Sequence, residues 1–408
     1  MSNLPLDGIR VVELSHMVMG PTCGMILADL GAEVIKVEPL KGDGTRRLLG
    51  AGAGFFRTFN RNKKSVALDL GHEAGREALR RLADNADVFL ENFKPGRMQA
   101  MGMDYATLSK RNPGLIYASH KGFLAGPYDQ RLALDEVVQM MAGLAYMTGP
   151  VGRPLRAGSS VNDIMGGMFG AIGVLAALQA RQRSGKGQEV QSALFENCVL
   201  LSAQHMQQYA VTGQPASPMP DRISAWAIYD VFTFAGGVQM FVAATGEGQW
   251  RTLCELLGEQ ALLADPSLAT NNDRVLQRPR LLAHLGEVFA TRDAAELAQR
   301  FEANGIPFAL IRKPEELFDD PHLLQSGGLA QQALEDGSHT LMPLLPLALN
   351  NQRLAPRMPI ARIGEHTRSV LAQLGYGAEE IAAMQADGVL HPTESQGHAG
   401  VPDSTARV

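Results

Sequence analysis

Apolar and polar positions along the first third of the chain switch repeatedly between two patterns. "GIRVVELS" (8–15) reads as a buried strand. "GPTCGMILADLG" (20–31) reads as a short helix stopping near Gly31, and "AEVIKVE" (32–38) as a second strand. "SVALDL" (65–70) is a third strand. "HEAGREALRRLADNA" (72–86) carries apolar residues at helical spacing, followed by the strands "DVFLENF" (87–93) and "LIYASHKGF" (115–123). Strands separated by helical segments predict βαβ units, hence an α/β fold with a parallel sheet covered on both faces.

The middle of the chain changes character. "DEVVQMMAGLAYM" (135–147) is helical, and 148–160 is a Gly/Pro/Ser loop. The apolar run from Ile164 to Leu178 has fifteen residues, four of them glycine, short of a bilayer span and suited to a buried helix. "EVQSAL" (189–194) returns as a strand, and a helix follows through Gln208. The Pro-rich "TGQPASPMPDR" (212–222) marks a linker. "AIYDVFTFAGGVQMFVAA" (227–244) reads as a hairpin turning on Gly236-Gly237. Helices such as "DAAELAQRFEANG" and a strand "IPFALIR" complete a smaller α+β domain. The expected organisation is 1–224 for the first part of a large domain, 225–330 for the small domain, and 331–390 for a return to the large one. A polar tail, 391–408, is expected to be disordered.

A chain of 408 residues exceeds what one core normally supports, which agrees with two domains. At 45% hydrophobic and 19% charged it has the make-up of an ordinary soluble protein. A net charge of −5 offers no footprint for a polyanion, so neither nucleic acid nor a membrane surface is expected as a partner. The start "MSNLPLDGIRVVELS" has no signal-peptide pattern. Cys23, Cys198 and Cys254 are scattered, with no zinc or CxxC spacing. A reducing cytoplasm fits these features.

Five glycine loops ("GPTCG", "GDGTRR", "GAGAGF", "SGKGQ", "ATGEGQW") match neither a Walker A nor a dinucleotide fingerprint, so each reads first as turn geometry. The ten histidines form no HxH or HxxxH pair, and no metal is expected. His16 and His120 each follow a serine at the C-terminal end of a predicted strand, the edge where open α/β sheets gather ligands. Arg57, Arg61, Lys63 and Lys64 form a basic cluster that is either a solvated loop or an anion cradle. "RAGSSVNDIMGGMFG" (156–170) sets a single carboxylate, Asp163, where a loop meets a glycine-rich helix. It reads as the helix N-cap, with the helix amides holding it ionised. An ionised carboxylate there can also act as a nucleophile, and Gly158, Gly166 and Gly167 would let a substrate approach.

Several of these stretches together resemble the class III CoA-transferases, the formyl-CoA and carnitine-CoA transferase type. They are "LGAEVIKVE" (30–38), "NRNKKSVALDL" (60–70), "ADVFLENFKPG" (86–96), "MGMDYATLSKRNPGLIYASHKGF" (101–123) and "RSGKGQEVQSALFE" (183–196). The resemblance implies a Rossmann-like large domain built from both termini, a small α+β domain, and ring-shaped subunits threaded through each other as a homodimer. It aligns the family's nucleophilic aspartate with Asp163. It also implies an aspartyl anhydride followed by an aspartyl-CoA thioester, with acyl-CoA and a small organic acid as substrates and no permanent cofactor.

For CoA binding the resemblance picks out Met17, Val18, Leu68, Asn92, Phe93 and Lys121, with Arg97 standing in for basic residues replaced here by Pro39, Gly71 and Ala100. It places "ATGEGQW", with Gly246 and Gly248, over the aspartate. His16, Arg47, His120 and Arg131 are polar groups expected near the cleft that could hold a second anionic group of the acyl chain. "SHMVMGPTCG", "SHKGF" and "ISAWAIYDVFT" resemble the branch using succinyl-CoA, with dicarboxylates or 3-sulfinopropionate as acceptors. Two alternatives remain. An α-methylacyl-CoA racemase needs two acid/base groups, one from a histidine where Leu134 precedes Asp135 here. A non-catalytic CoA-binding protein would not need Asp163.

Overall fold

The computed structural model describes residues 4–222 and 224–392. It divides into two compact units, one of 1–214 with 325–408 and one of 215–324. The first division falls inside the Pro-rich segment rather than after it at 224, and the second at 324/325 rather than 330/331. The tail expected from 391 lies, from 393 onward, outside the described residues.

The first unit is built on six parallel strands. They are β1 (Arg10–Leu14), β2 (Glu33–Glu38), β3 (Lys63–Ala67), β4 (Val88–Glu91), β5 (Ile116–Lys121) and β6 (Glu189–Ala193), in the order β3-β2-β1-β4-β5-β6. The third strand starts at Lys63, ahead of the predicted Ser65. Alternate residues feed two apolar layers. Val12, Ile35 and Phe89 pack with Leu79 and Leu82 of helix α2 (Glu73–Asp84). Val11, Val34 and Leu90 pack on the other face with Leu27 of helix α1 (Met19–Asp29) and Val174 of a later helix. This is a Rossmann-like α/β arrangement, with the strand order reversing between β1 and β4.

The segment predicted as one helix from 135 to 147 is two, α3 (Asp135–Met141) and α4 (Leu144–Thr148). They break at Gly143, whose φ of 84° favours glycine. Helix α5 (Val161–Ser184) extends beyond the apolar run at both ends, to 24 residues. It is the one helix among the described residues long and apolar enough to cross a membrane. Its Ala171, Val174 and Ala177 nevertheless pack in the core beneath the sheet. Helix α6 (Leu194–Thr212) follows β6 directly.

The C-terminal segment returns to this unit and helps build its core. Val370, Leu371, Ile381 and Met384 join the layer that holds Val66 and Leu68. The His366 N–H donates to the Ser65 carbonyl, and Leu390 bridges to Leu68. The second unit has its own core around Phe232, Phe289 and Phe301. Its antiparallel sheet is β7 (Ile228–Thr233), β8 (Gln239–Ala244) and β9 (Phe308–Leu310), with the hairpin turning on Gly236 and Gly237, both at positive φ.

Candidate active site

A cleft of about 770 Å³ opens in the first unit where β1, β4 and β5 end. This is the edge, and the reversal point, at which open α/β sheets bind ligands. His16, Met17, Asn92, Phe93, Arg97, Lys121, His120, Arg131 and Asp163 all line it.

The wall after β1 is tied to the wall after β4. The His16 N–H donates to Asn92 Oδ1 at 3.0 Å, and Asn92 Nδ2 donates back to the His16 carbonyl at 2.7 Å. The His16 ring lies 5.2 Å from the Phe93 ring, and burial lowers its pKa. Met17 takes φ 63°, a left-handed conformation that a side chain rarely adopts. The Phe93 N–H donates to Glu91 Oε2 at 2.8 Å, while Ser119 Oγ donates to Glu91 Oε1. Burial pushes the Glu91 pKa up.

Three cations, Lys94, Arg97 and Lys121, line the cleft without a salt bridge among the described residues. Arg131 stacks over Tyr128 at 4.9 Å. These cations can meet an anionic ligand, and Glu91, Asp104, Asp129, Asp135, Asp163 and Glu189 line the same cleft. The basic cluster before β3 behaves otherwise. Arg57 pairs with Glu335, Arg61 with Asp29, Lys63 with Glu13 and Lys64 with Glu33, so all four are committed within the fold and the anion-cradle reading falls.

Other expected residues lie elsewhere. Leu68 is buried in the apolar core, and Val18 is buried at the start of α1. Neither reaches the cleft. Arg47 sits in a tight turn, its guanidinium donating to the Lys41 carbonyl at 2.5 Å, outside the cleft lining. His120 does line the cleft, but it is only 3% exposed, and burial lowers its pKa to about 4. Gly246 and Gly248 belong to the second unit, at the start of helix α7 (Glu247–Leu257).

Asp163 is the third residue of α5, not its cap. The N-cap position is Ser160, which makes no side-chain cap bond. The first-turn amides are taken instead by Asp135 of α3. Its Oδ1 accepts from the Asn162 N–H at 2.9 Å and, more weakly, from the Asp163 N–H at 3.4 Å. The expectation that helix amides hold Asp163 ionised is therefore overturned. Burial first, then the charges of Asp135 and Glu136, push its pKa up to about 7, against the pull of Arg156. Sequence reasoning noticed Asp135 only through its neighbour Leu134, and it missed Glu91 and Lys94. Their signals were weak: an acid at the start of a helix, and "LENFK" at a strand's end.

A Rossmann-like sheet with a cleft at the strand reversal, lined by both acids and cations, has the layout of an α/β enzyme. A family model for CoA-transferase family III matches residues 6–367. The chain is 34% identical over 383 residues to a succinate–glutarate CoA-transferase of Agrobacterium fabrum, covering 91% of this chain and 96% of that one. It is 32% identical over 397 residues to a succinyl-CoA:mesaconate CoA-transferase of Haloarcula hispanica, covering 91% and 97%. Among solved structures it resembles a CAIB/BAIF family protein from Brucella suis, with TM-score 0.82, 34% identity and coverage of 91% and 100%. The chain belongs to CoA-transferase family III and is an enzyme of that class.

Proposed function

We propose that the enzyme moves CoA from succinyl-CoA to a small carboxylic acid, a dicarboxylate or a sulfinate analogue such as 3-sulfinopropionate, with Asp163 as the nucleophile. The observation that carries this reading is the position of Asp163, in the first turn of α5 and on the wall of the cleft shared with Lys121. Its carboxylate attacks the thioester carbonyl, giving an aspartyl–succinyl anhydride and CoA thiolate. The thiolate attacks the aspartyl carbonyl, releasing succinate and leaving an aspartyl-CoA thioester. The acceptor carboxylate attacks that thioester, forming a second anhydride and freeing the thiolate again. The thiolate then takes the acceptor's acyl group and returns Asp163 as a carboxylate. One thioester replaces another, so no ATP is consumed.

Several residues support the CoA end of this reading. Lys94, Arg97 and Lys121 supply positive charge for the CoA phosphates, and Asn92, Phe93 and Met17 shape the wall. His16 and Arg131 are the polar groups left for the distal carboxylate of the acyl chain. Leu134 lines the cleft where a racemase would need an acid/base group, and leucine moves no proton.

We further propose a homodimer of interlocked rings in a reducing, cytoplasmic setting. Met168, Phe169 and Ile172 on α5 and Leu200, Leu201 and Met206 on α6 are exposed apolar side chains that a second copy would cover. All three cysteines are free and buried.

A panel of donor acyl-CoAs against acceptor acids, read by mass spectrometry, tests the substrate pair. Succinyl-CoA with C4–C5 dicarboxylates or 3-sulfinopropionate is expected to exchange fastest. Preference for a long-chain monocarboxylate would overturn it.

A further inference from the structure

Asp135 is buried at 5% exposure, and both its oxygens are engaged. Oδ1 accepts from the amides of Asn162 and Asp163 at the start of α5. Oδ2 accepts from Gln139 Nε2 at 2.6 Å, one turn along α3. Gln139 is fully buried, and its Oε1 accepts from the Ala157 N–H at 2.8 Å. The side chain thus joins three segments: helix α3, the loop before α5, and the turn that carries Asp163. Every partner is an N–H donor, which is the pattern of a carboxylate and not of a protonated acid. No cation pairs with it among the described residues.

Two consequences follow for Asp163. First, Asp135 takes up the helix-terminal amides across 27 residues of chain, so the Asp163 carboxylate has no such bond of its own. It stays free to turn toward a thioester while its backbone is fixed by the cap. Second, a charge is placed beside it. The charged groups near Asp163 are Asp135 and Glu136 from α3 and Arg156 from the preceding loop. Lys121 of β5 lines the same cleft, to which α1 and α6 present the uncharged Met19 and Leu194.

We infer that Asp135 is a positioning residue for the acyl transfer: it caps α5 in place of Asp163 and so holds the nucleophile aimed into the cleft with its carboxylate unbound. This rests on the reading of Asp163 as nucleophile. The neighbouring charge sets the pH at which Asp163 ionises, since a like charge disfavours a second one. A more basic carboxylate is also the better nucleophile once ionised.

The test uses the full-length enzyme and two substitutions with different chemistry. Asp135→Asn keeps an oxygen for the amides, removes the charge and sets its NH2 against the Gln139 Nε2 donor. Asp135→Ala removes both. For each, kcat, KM for succinyl-CoA, the pH profile of kcat/KM and the melting temperature are measured beside Asp163→Asn. Asp135→Asn is expected to move the acid limb to lower pH by about one unit, with a smaller fall in kcat on the alkaline plateau than Asp135→Ala. Asp135→Ala is expected to lower kcat by about one to two orders of magnitude with KM little changed, because the nucleophile is misplaced while the CoA wall is intact. An acid limb that superimposes on wild type in Asp135→Asn, or an unchanged kcat in Asp135→Ala, overturns the inference. If Asp135→Ala does not fold, the limb of Asp135→Asn decides alone. Full exchange activity in Asp163→Asn would overturn the nucleophile reading beneath it. An inactive Asp163→Asn with unaffected Asp135 variants overturns this inference only.

Discussion

Gly170 of α5 lies against the imidazole of His120. A Cβ built at Gly170 would sit 2.2 Å from His120 Nε2, so β5 and α5 approach at a distance only glycine permits. Replacing glycine by alanine inside a helix ordinarily stabilises by about 1 kcal/mol. Here the clash is with the ring of the buried His120, and overpacking costs about 1–3 kcal/mol. Gly170→Ala is therefore expected to lower stability in urea unfolding. Gly286→Ala, at a helical site with open space around the new methyl, is expected to raise it. Equal effects of the same sign would contradict this packing.

The ionisation of Asp163 is visible in stability. Its folded pKa is about 7 against an ordinary value of 3.8. Below the ordinary value both folded and unfolded chains hold the proton, and the group contributes nothing unfavourable. As pH rises toward 7 the unfolded chain ionises freely while the folded one resists, so folding loses stability across that window. Asp163→Asn escapes this loss. The melting-temperature difference, variant minus wild type, is expected to grow from pH 4 to pH 7 and then level off. A difference that is flat or shrinks with pH would contradict the burial and charge crowding described.

Arg97 and Lys121 line the cleft wall with no salt bridge among the described residues. Removing either is expected to raise KM for succinyl-CoA by about tenfold, roughly the 1.4 kcal/mol of one charged contact. The effect should shrink with added salt, because these side chains reach solvent. Steady-state kinetics at two ionic strengths checks this. An unchanged KM in Arg97→Ala would remove Arg97 from the CoA site.

Asn92 makes two hydrogen bonds to the backbone of His16 and so fixes the turn that carries Met17. Each such bond is worth about 0.5–1.5 kcal/mol. Asn92→Ala is expected to raise KM several-fold while kcat holds, since the wall loosens but Asp163 is untouched. A fall in kcat at constant KM would place Asn92 in the chemistry instead.

Much of the sheet was legible because β1 and β2 are short, valine-rich segments bounded by turns, and because His16 and Asn92 fall just past strand ends. The strand-end rule also pointed to His120, yet there it gave the backbone position without the side-chain direction. The C-terminal return carried no visible core pattern. Its helices have seven and nine residues, too short to show a period, although Val370, Leu371, Ile381 and Met384 are buried. The basic cluster at 57–64 could not be resolved from sequence, since its partners Asp29, Glu13, Glu33 and Glu335 meet it only through folding. The cap was misassigned for the same reason. An aspartate near the start of a helix looks like its own cap, and nothing local reveals that Asp135 reaches over to occupy the amides.

The central claim is that Asp163 carries the acyl group and then CoA. A single turnover tests it: the enzyme is loaded with succinyl-CoA, then given an acceptor whose carboxylate oxygens are both heavy-oxygen labelled. The scheme predicts that one labelled oxygen is left in the Asp163 side chain, located by peptide mass, because the acceptor's attacking oxygen becomes the bridge and stays on the aspartate. Transfer of CoA to the acceptor with no label at Asp163, or with label on another residue, would contradict the account.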